Sequence, residues 1–95
     1  MSYPLSVKVI NWNPKKNEWL KKNRGVCFEQ VATILEQKEE LAGFDHPNQK
    51  KYPGQKMLII EIDNYAYLVP KVENDEEIFL KTIIPNRKAT KKYLR

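Results

Sequence analysis

The chain has 95 residues, 41% of them hydrophobic and only three of them glycine, which suits one folded domain with one modest core and excludes both a disordered chain and a two-domain protein. Its net charge of +5 comes from 17 Lys and Arg against 12 Asp and Glu, and it is unevenly spread. Residues 1–24 carry six basic residues and one acid, residues 29–77 five and eleven, and residues 81–95 six basic residues and no acid. If the two basic ends meet in the fold, they form one positive face suited to a phosphate backbone; otherwise they are a solvated surface. A single cysteine, Cys27, excludes an internal disulfide and a Cys-rich zinc site, and a single histidine, His46, excludes a His-pair metal site. Neither a metal nor another cofactor is expected. The start "MSYPLSVKVI" lacks a secretory pattern and no apolar run approaches membrane length, so a cytoplasmic protein with no membrane partner is the default expectation.

In chain order, "SVKVINW" (6–12) alternates and predicts a strand, with Val7, Val9 and Asn11 on one side and Ser6, Lys8, Ile10 and Trp12 on the other. "NPKKNEWLKKNRG" predicts a helix with Asn13 as N-cap, Pro14 at the first position and Gly25 just past the end. Only Trp19 and Leu20 are strongly apolar there, so this helix should lie on the core rather than inside it. "CFEQVATILEQKEEL" (27–41) predicts a second helix, whose Phe28, Val31, Ala32 and Leu35 form one apolar stripe. Gln30 stands where the reciprocal partner of a capping box belongs, although Cys27 replaces the usual Ser at the cap. Residues 42–56 hold two Pro and two Gly among mostly polar side chains and read as an irregular, functional loop, with "YPGQ" as a type II turn.

Three β-rich runs follow: "KMLIIEI", "YAYLVPKV" and "EEIFLKTII". Asp63-Asn64 predicts a two-residue hairpin turn, setting Ile62 opposite Tyr65, Ile60 opposite Tyr67 and Leu58 opposite Val69. Pro70 cannot donate to a ladder and predicts a bulge or strand end. "KATKKYLR" reads as a last helical turn or two, or a loose tail. The order is β-α-α-β-β-β, an α+β domain with two helices packed on one face of the sheet.

Two stretches resemble a known family. "WNPKKNEWLKKNRGVCFEQV" is similar to the opening of BrnT-type toxins of bacterial type II toxin–antitoxin systems, within the RelE/ParE-like superfamily, through Trp12, Asn13, Lys16, Leu20, Lys22, Gly25, Val26, Phe28 and Glu29. "DHPNQKKYPGQ" resembles the polar loop after the second helix of those toxins, and "TIIPNRKATKKY" their final strand, through Ile83, Ile84, Arg87, Lys88, Ala89, Thr90 and Lys91. Two positions depart: Arg24 stands where a His is frequent, and Cys27 where Ser is usual. The resemblance implies two helices on an antiparallel RelE-like sheet and a metal-independent endoribonuclease that cuts mRNA and stops translation. It further implies a small antitoxin partner, of ribbon-helix-helix type with a helical tail. RNA, on or off the ribosome, would be the substrate, and operator DNA would be met only through the antitoxin.

Cleavage without a metal uses the RNA's own 2′-hydroxyl as nucleophile, so the protein must move protons and neutralise charge on phosphorus. Arg87, just past the last strand, is the first candidate because a guanidinium clasps two phosphate oxygens at once; otherwise it is an ordinary surface Arg. His46, beside Asp45, is the only side chain with an ordinary pKa near neutrality, though a lone loop His is more often simply solvated. Arg24 closes the first helix, where a cation also suits the helix dipole. Lys81 alternates with Phe79 and Ile83, and a charge turned inward there would need a cleft or a partner. Glu29 is a candidate base or a helix-terminus charge, and Tyr93 a phenol for stacking or proton transfer or a packed terminal aromatic. Lys22, Lys88, Lys91 and Lys92 are candidate RNA-binding cations, and Tyr67, with Tyr52 and Tyr65, a stacking platform or part of the core. The competing functions are a nucleic-acid-binding module without catalysis and a ParE-like toxin acting on a protein target.

Overall fold

The computed structural model describes residues 8–94, so Ser6 and Val7 of the first predicted strand lie outside the described residues. Chain order is β1 (Val9–Trp12), α1 (Pro14–Arg24), α2 (Phe28–Glu36), β2 (Ala42–Asp45), β3 (Gln55–Ile62), β4 (Tyr65–Glu73), β5 (Glu77–Leu80), β6 (Ile84–Pro85) and α3 (Arg87–Leu94). The sheet runs β1-β5-β4-β3-β2, with β6 pairing β4 in line with β5. Class α+β is as expected, with three corrections. The sheet is mixed, because β1 joins the β5 edge in parallel. The stretch read as loop contributes a fifth ladder partner, β2, antiparallel to β3. The helices cover both faces, since α3 lies against β4 on the side away from α1 and α2.

α1 has the predicted bounds. Asn13 Oδ1 accepts from the backbone N–H of Lys15 and Lys16, and Gly25, at φ 67°, takes the left-handed conformation that ends the helix. α2 keeps its apolar stripe but ends at Glu36, short of the predicted 41, because Lys38 turns to φ 55° and breaks the run. Between β3 and β4, Asp63 and Asn64 both have positive φ (52° and 65°), and the register is the predicted one from Ile62↔Tyr65 to Leu58↔Val69. Gly54, at φ 74°, sits in the predicted "YPGQ" turn, closed by Gln55 N–H donating to the Tyr52 carbonyl.

Pro70 neither ends β4 nor disturbs its pairing with β3. Its carbonyl accepts from Lys81 N–H, so its backbone polar groups point toward β5 and β6. There the partner strand is interrupted: Lys71 pairs with Leu80 but Leu68 with Ile84, leaving three residues opposite two. The expected bulge is real but is borne by the neighbouring segment, which needs no N–H from Pro70.

The main core lies between the sheet and α1/α2, with Leu20, Phe28, Ile60, Val69, Leu80 and Ile83 at 0% exposure. Trp12 stacks on Phe28 with ring centroids 5.7 Å apart. A smaller cluster of Ile59, Ala66 and Ala89 joins α3 to the opposite face. α3 is also stitched to β4 by polar groups. Asn86 N–H donates to the Ala66 carbonyl, and Thr90 Oγ1 accepts from Ala66 N–H while donating to the Asn86 carbonyl. Thr90 is buried, so Thr90→Val should orphan the Ala66 N–H and cost about 2 kcal/mol in urea unfolding, whereas Thr90→Ser should lose much less.

Candidate nucleic-acid interface

α1 turns three residues inward, Asn17, Leu20 and Arg24, and two of them are polar. Each polar one is satisfied across the chain. Asn17 Oδ1 accepts from Phe28 N–H at 2.8 Å, one of the N-terminal donors of α2 that have no intrahelical partner, while its Nδ2 donates to Glu29 Oε1, also at 2.8 Å. Gln30 Oε1 accepts from Cys27 N–H at 2.9 Å, as the capping pattern predicted. The Arg24 guanidinium donates to the carbonyl of Ile83, 59 residues away, and lies with Cζ 4.9 Å from the Trp19 ring centroid.

That bond brings the basic end of α1 to the start of β6. Arg87 follows Ile83 by four residues, within about 14 Å at full extension. Among the described residues β6 pairs with β4 on one side only, and Ile84 is 37% exposed, so an open strand edge runs between Arg24 and the first residue of α3. Tyr67 pairs with Pro85 at this edge, and its ring meets Tyr65 edge-on at 5.7 Å. Trp19 is 43% exposed, with Lys16 Nζ 4.3 Å from its ring centroid as well as Arg24 nearby. An exposed indole flanked by two cations is a surface suited to a base and its phosphates. Arg24, Arg87, Lys22 and Lys81 enter no ion pair among the described residues.

The other candidates lie elsewhere. Lys81 is exposed just past β5, not turned inward, because the bulge at 81–83 shifts the alternation that would have grouped it with Ile83. His46 follows β2 at the far edge, about 14 Å across three strand spacings from β6 and about 15 Å further along the strands. Its Nδ1 accepts from Asn48 N–H and its ring lies 4.4 Å from that of Tyr52, so the loop uses it structurally. Glu29 is held below its ordinary pKa, chiefly by the Asn17 amide, with its own helix backbone and Lys21 adding to the effect. That makes it a weaker base. Lys88, Lys91, Lys92 and Tyr93 are on α3, across the sheet from α1, with Lys88, Lys92 and Tyr93 beside a separate groove. Neither arginine lines that groove.

Lys16 and Trp19 are the residues that sequence reasoning passed over. The available signal was that Trp19 and Leu20 are consecutive, so only one could face the core directly. Asn17 left no local signal, since its partners are 11 and 12 residues on.

One further charge cluster is fixed on β4. Burial alone would raise the Glu73 pKa, but hydrogen bonds and charge from Lys71 and Lys8 outweigh it and hold the carboxyl at about 2, against an ordinary 4.5. The lowered value means that Glu73 stabilises the fold above pH ~5 and that this contribution is lost as pH falls toward 2. Allowing for partial solvation, about 2 kcal/mol should disappear across that window. Glu73→Gln should flatten the same limb of a stability-versus-pH curve measured by urea unfolding.

Among the described residues no helix is long and apolar enough to cross a membrane, and no group of three or more His, Cys, Asp or Glu is set to hold a metal ion. No family model, curated protein or solved structure matches this chain.

Proposed function

We propose that this protein is a toxin-type endoribonuclease with a RelE-like arrangement, binding RNA across the α1–β6 edge and neutralised by a small partner protein. One observation carries the reading: the Arg24–Ile83 bond joins two cationic segments far apart in sequence at an exposed strand edge flanked by Trp19. The phosphate backbone would track Lys16, Arg24 and Arg87, with bases stacking on Trp19 and Tyr67. In the reaction the 2′-hydroxyl gives its proton to solvent as its oxygen attacks the adjacent phosphorus, and the bond to the 5′-oxygen breaks with that oxygen taking a proton from solvent, giving a 2′,3′-cyclic phosphate and a 5′-hydroxyl end. Arg87 supplies the charge that stabilises the crowded phosphorane, and Arg24 holds the edge in place.

A second reading, a nucleic-acid-binding module without catalysis, is favoured by the remoteness of His46 and the engagement of Glu29 by Asn17. Incubating purified protein with end-labelled mRNA, with and without ribosomes, separates the two. Discrete cuts bearing cyclic-phosphate ends support the ribonuclease. Bound but uncut RNA at stoichiometric protein supports the module.

A further inference from the structure

The sheet face turned away from α1 and α2 is only half covered, because α3 is eight residues long and lies chiefly over β4. Between α3 and β2 an open groove of about 300 Å³ remains. Ile59, Leu68 and Ala89 form its floor, Phe44 and Tyr93 its walls, and Lys88 and Lys92 stand on its rim. Phe44 is 45% exposed and Tyr93 36%, so the two largest apolar side chains of the groove face water in the isolated domain. Lys88 and Lys92 are one helical turn apart and enter no ion pair among the described residues, and α3 contains no acid.

An apolar trough edged by two unpaired lysines calls for a ligand that is apolar on one side and anionic beside it. We propose that this groove docks an acidic amphipathic helix of a partner protein. Two apolar side chains one turn apart fill the space between Phe44 and Tyr93, and flanking carboxylates meet Lys88 and Lys92. A polynucleotide satisfies the lysines but leaves Ile59 and Leu68 without an apolar partner. A second copy of α3 brings like charge against like. The site is separate from the α1–β6 edge and does not require that the chain cut RNA; under the toxin reading its occupant is the neutralising partner.

The test uses fluorescence anisotropy with a labelled helical peptide of about 16 residues, bearing two Leu one turn apart flanked by Glu. Its controls are the same peptide with Ser for Leu, the same with Lys for Glu, and an RNA of about 12 nucleotides. The full chain is compared with Phe44→Asp and with the double variant Lys88→Glu/Lys92→Glu, circular dichroism confirming that each is folded. The acidic Leu peptide should bind, each variant should weaken it at least about tenfold, and the Ser and Lys peptides should bind at least about tenfold more weakly. RNA binding should be indifferent to Phe44→Asp. The proposal is overturned if the acidic Leu peptide does not bind, if the Ser or the Lys peptide binds equally well, or if either Phe44→Asp or Lys88→Glu/Lys92→Glu has no effect on the peptide. It is equally overturned if Phe44→Asp weakens RNA as much as peptide, which would make the groove a nucleotide site, or if sedimentation shows a dimer that Phe44→Asp dissolves. Loss of RNA cleavage in the assay above leaves each of these outcomes readable, because none of them depends on catalysis.

Discussion

Asn17→Ala should lower the unfolding free energy by about 2–3 kcal/mol and the melting temperature by about 10–20 °C. Asn17 is 4% exposed and serves both helices at once. Its Oδ1 is the acceptor for Phe28 N–H, a donor with no intrahelical partner at the start of α2, and its Nδ2 fixes Glu29. Truncation leaves a buried N–H unpaired in a place too closed for water to replace the amide freely, so the cost is that of an unsatisfied donor and not of an average surface hydrogen bond. For a domain of this size a loss of that order is a large share of total stability. Asn17→Asp separates the two roles. It keeps the acceptor for Phe28 but sets a carboxylate against that of Glu29, so it should fall between wild type and Ala and recover as pH drops far enough to protonate the pair. Urea unfolding at two pH values measures both effects, and an Asn17→Ala change below about 0.5 kcal/mol would refute the bridging role.

Arg87→Ala should reduce RNA cleavage by about a hundredfold or more while leaving the protein at least as stable as before. Arg87 is the first residue of α3, and that helix has no acid in its first turn. Asn86 Oδ1 accepts from Ala89 N–H at 2.7 Å and caps the helix without help from Arg87. A cation at a helix N-terminus is opposed by the helix dipole, so its removal should be neutral or stabilising by about 0.3–1 kcal/mol. That opposite sign makes the experiment informative. A residue held only for packing would lose stability and activity together, whereas here activity alone should fall. Arg87→Lys should recover part of the cleavage, since a point charge replaces some of the electrostatic effect but not the two-pronged grip on a phosphate. Stability unchanged and cleavage unchanged would remove Arg87 from the site and leave the RNA-binding role to α1 alone.

Several elements were legible in the sequence because their signals are local. Asn13, Pro14 and Gly25 bracket α1 through backbone geometry that each residue favours within a few positions of itself. Asp63-Asn64 set the β3–β4 register because a two-residue turn leaves the flanking strands one way to pair. β2 escaped notice because "AGFD" is short, with three of its four residues exposed, and becomes a strand only through β3 beside it. The break between β5 and β6 escaped notice because "EEIFLKTII" is uniformly β-rich; the interruption comes from Pro70 on the neighbouring strand.

The candidate site was less legible than the fold, and the difference is physical. Arg24 and Arg87 could be singled out as cations near element ends, but no periodicity says that a guanidinium from α1 reaches the Ile83 carbonyl. Trp19 looked like a core residue by type and proved to be the exposed platform between Lys16 and Arg24. His46 had the right chemistry and the wrong address, since β2 carries it to the opposite edge of the sheet.

By itself the sequence determined the α+β class, the bounds of α1, the central hairpin and an excess of cations at both chain ends. Only the tertiary structure decided that α3 crosses to the second face, that α1 is tied to β6, and that the lysines of α3 border a groove of their own. Patterning within a segment reports which side of it is apolar; which charges meet depends on contacts between residues as far as 65 apart, as for Lys8 and Glu73, and those exist only once the sheet has formed.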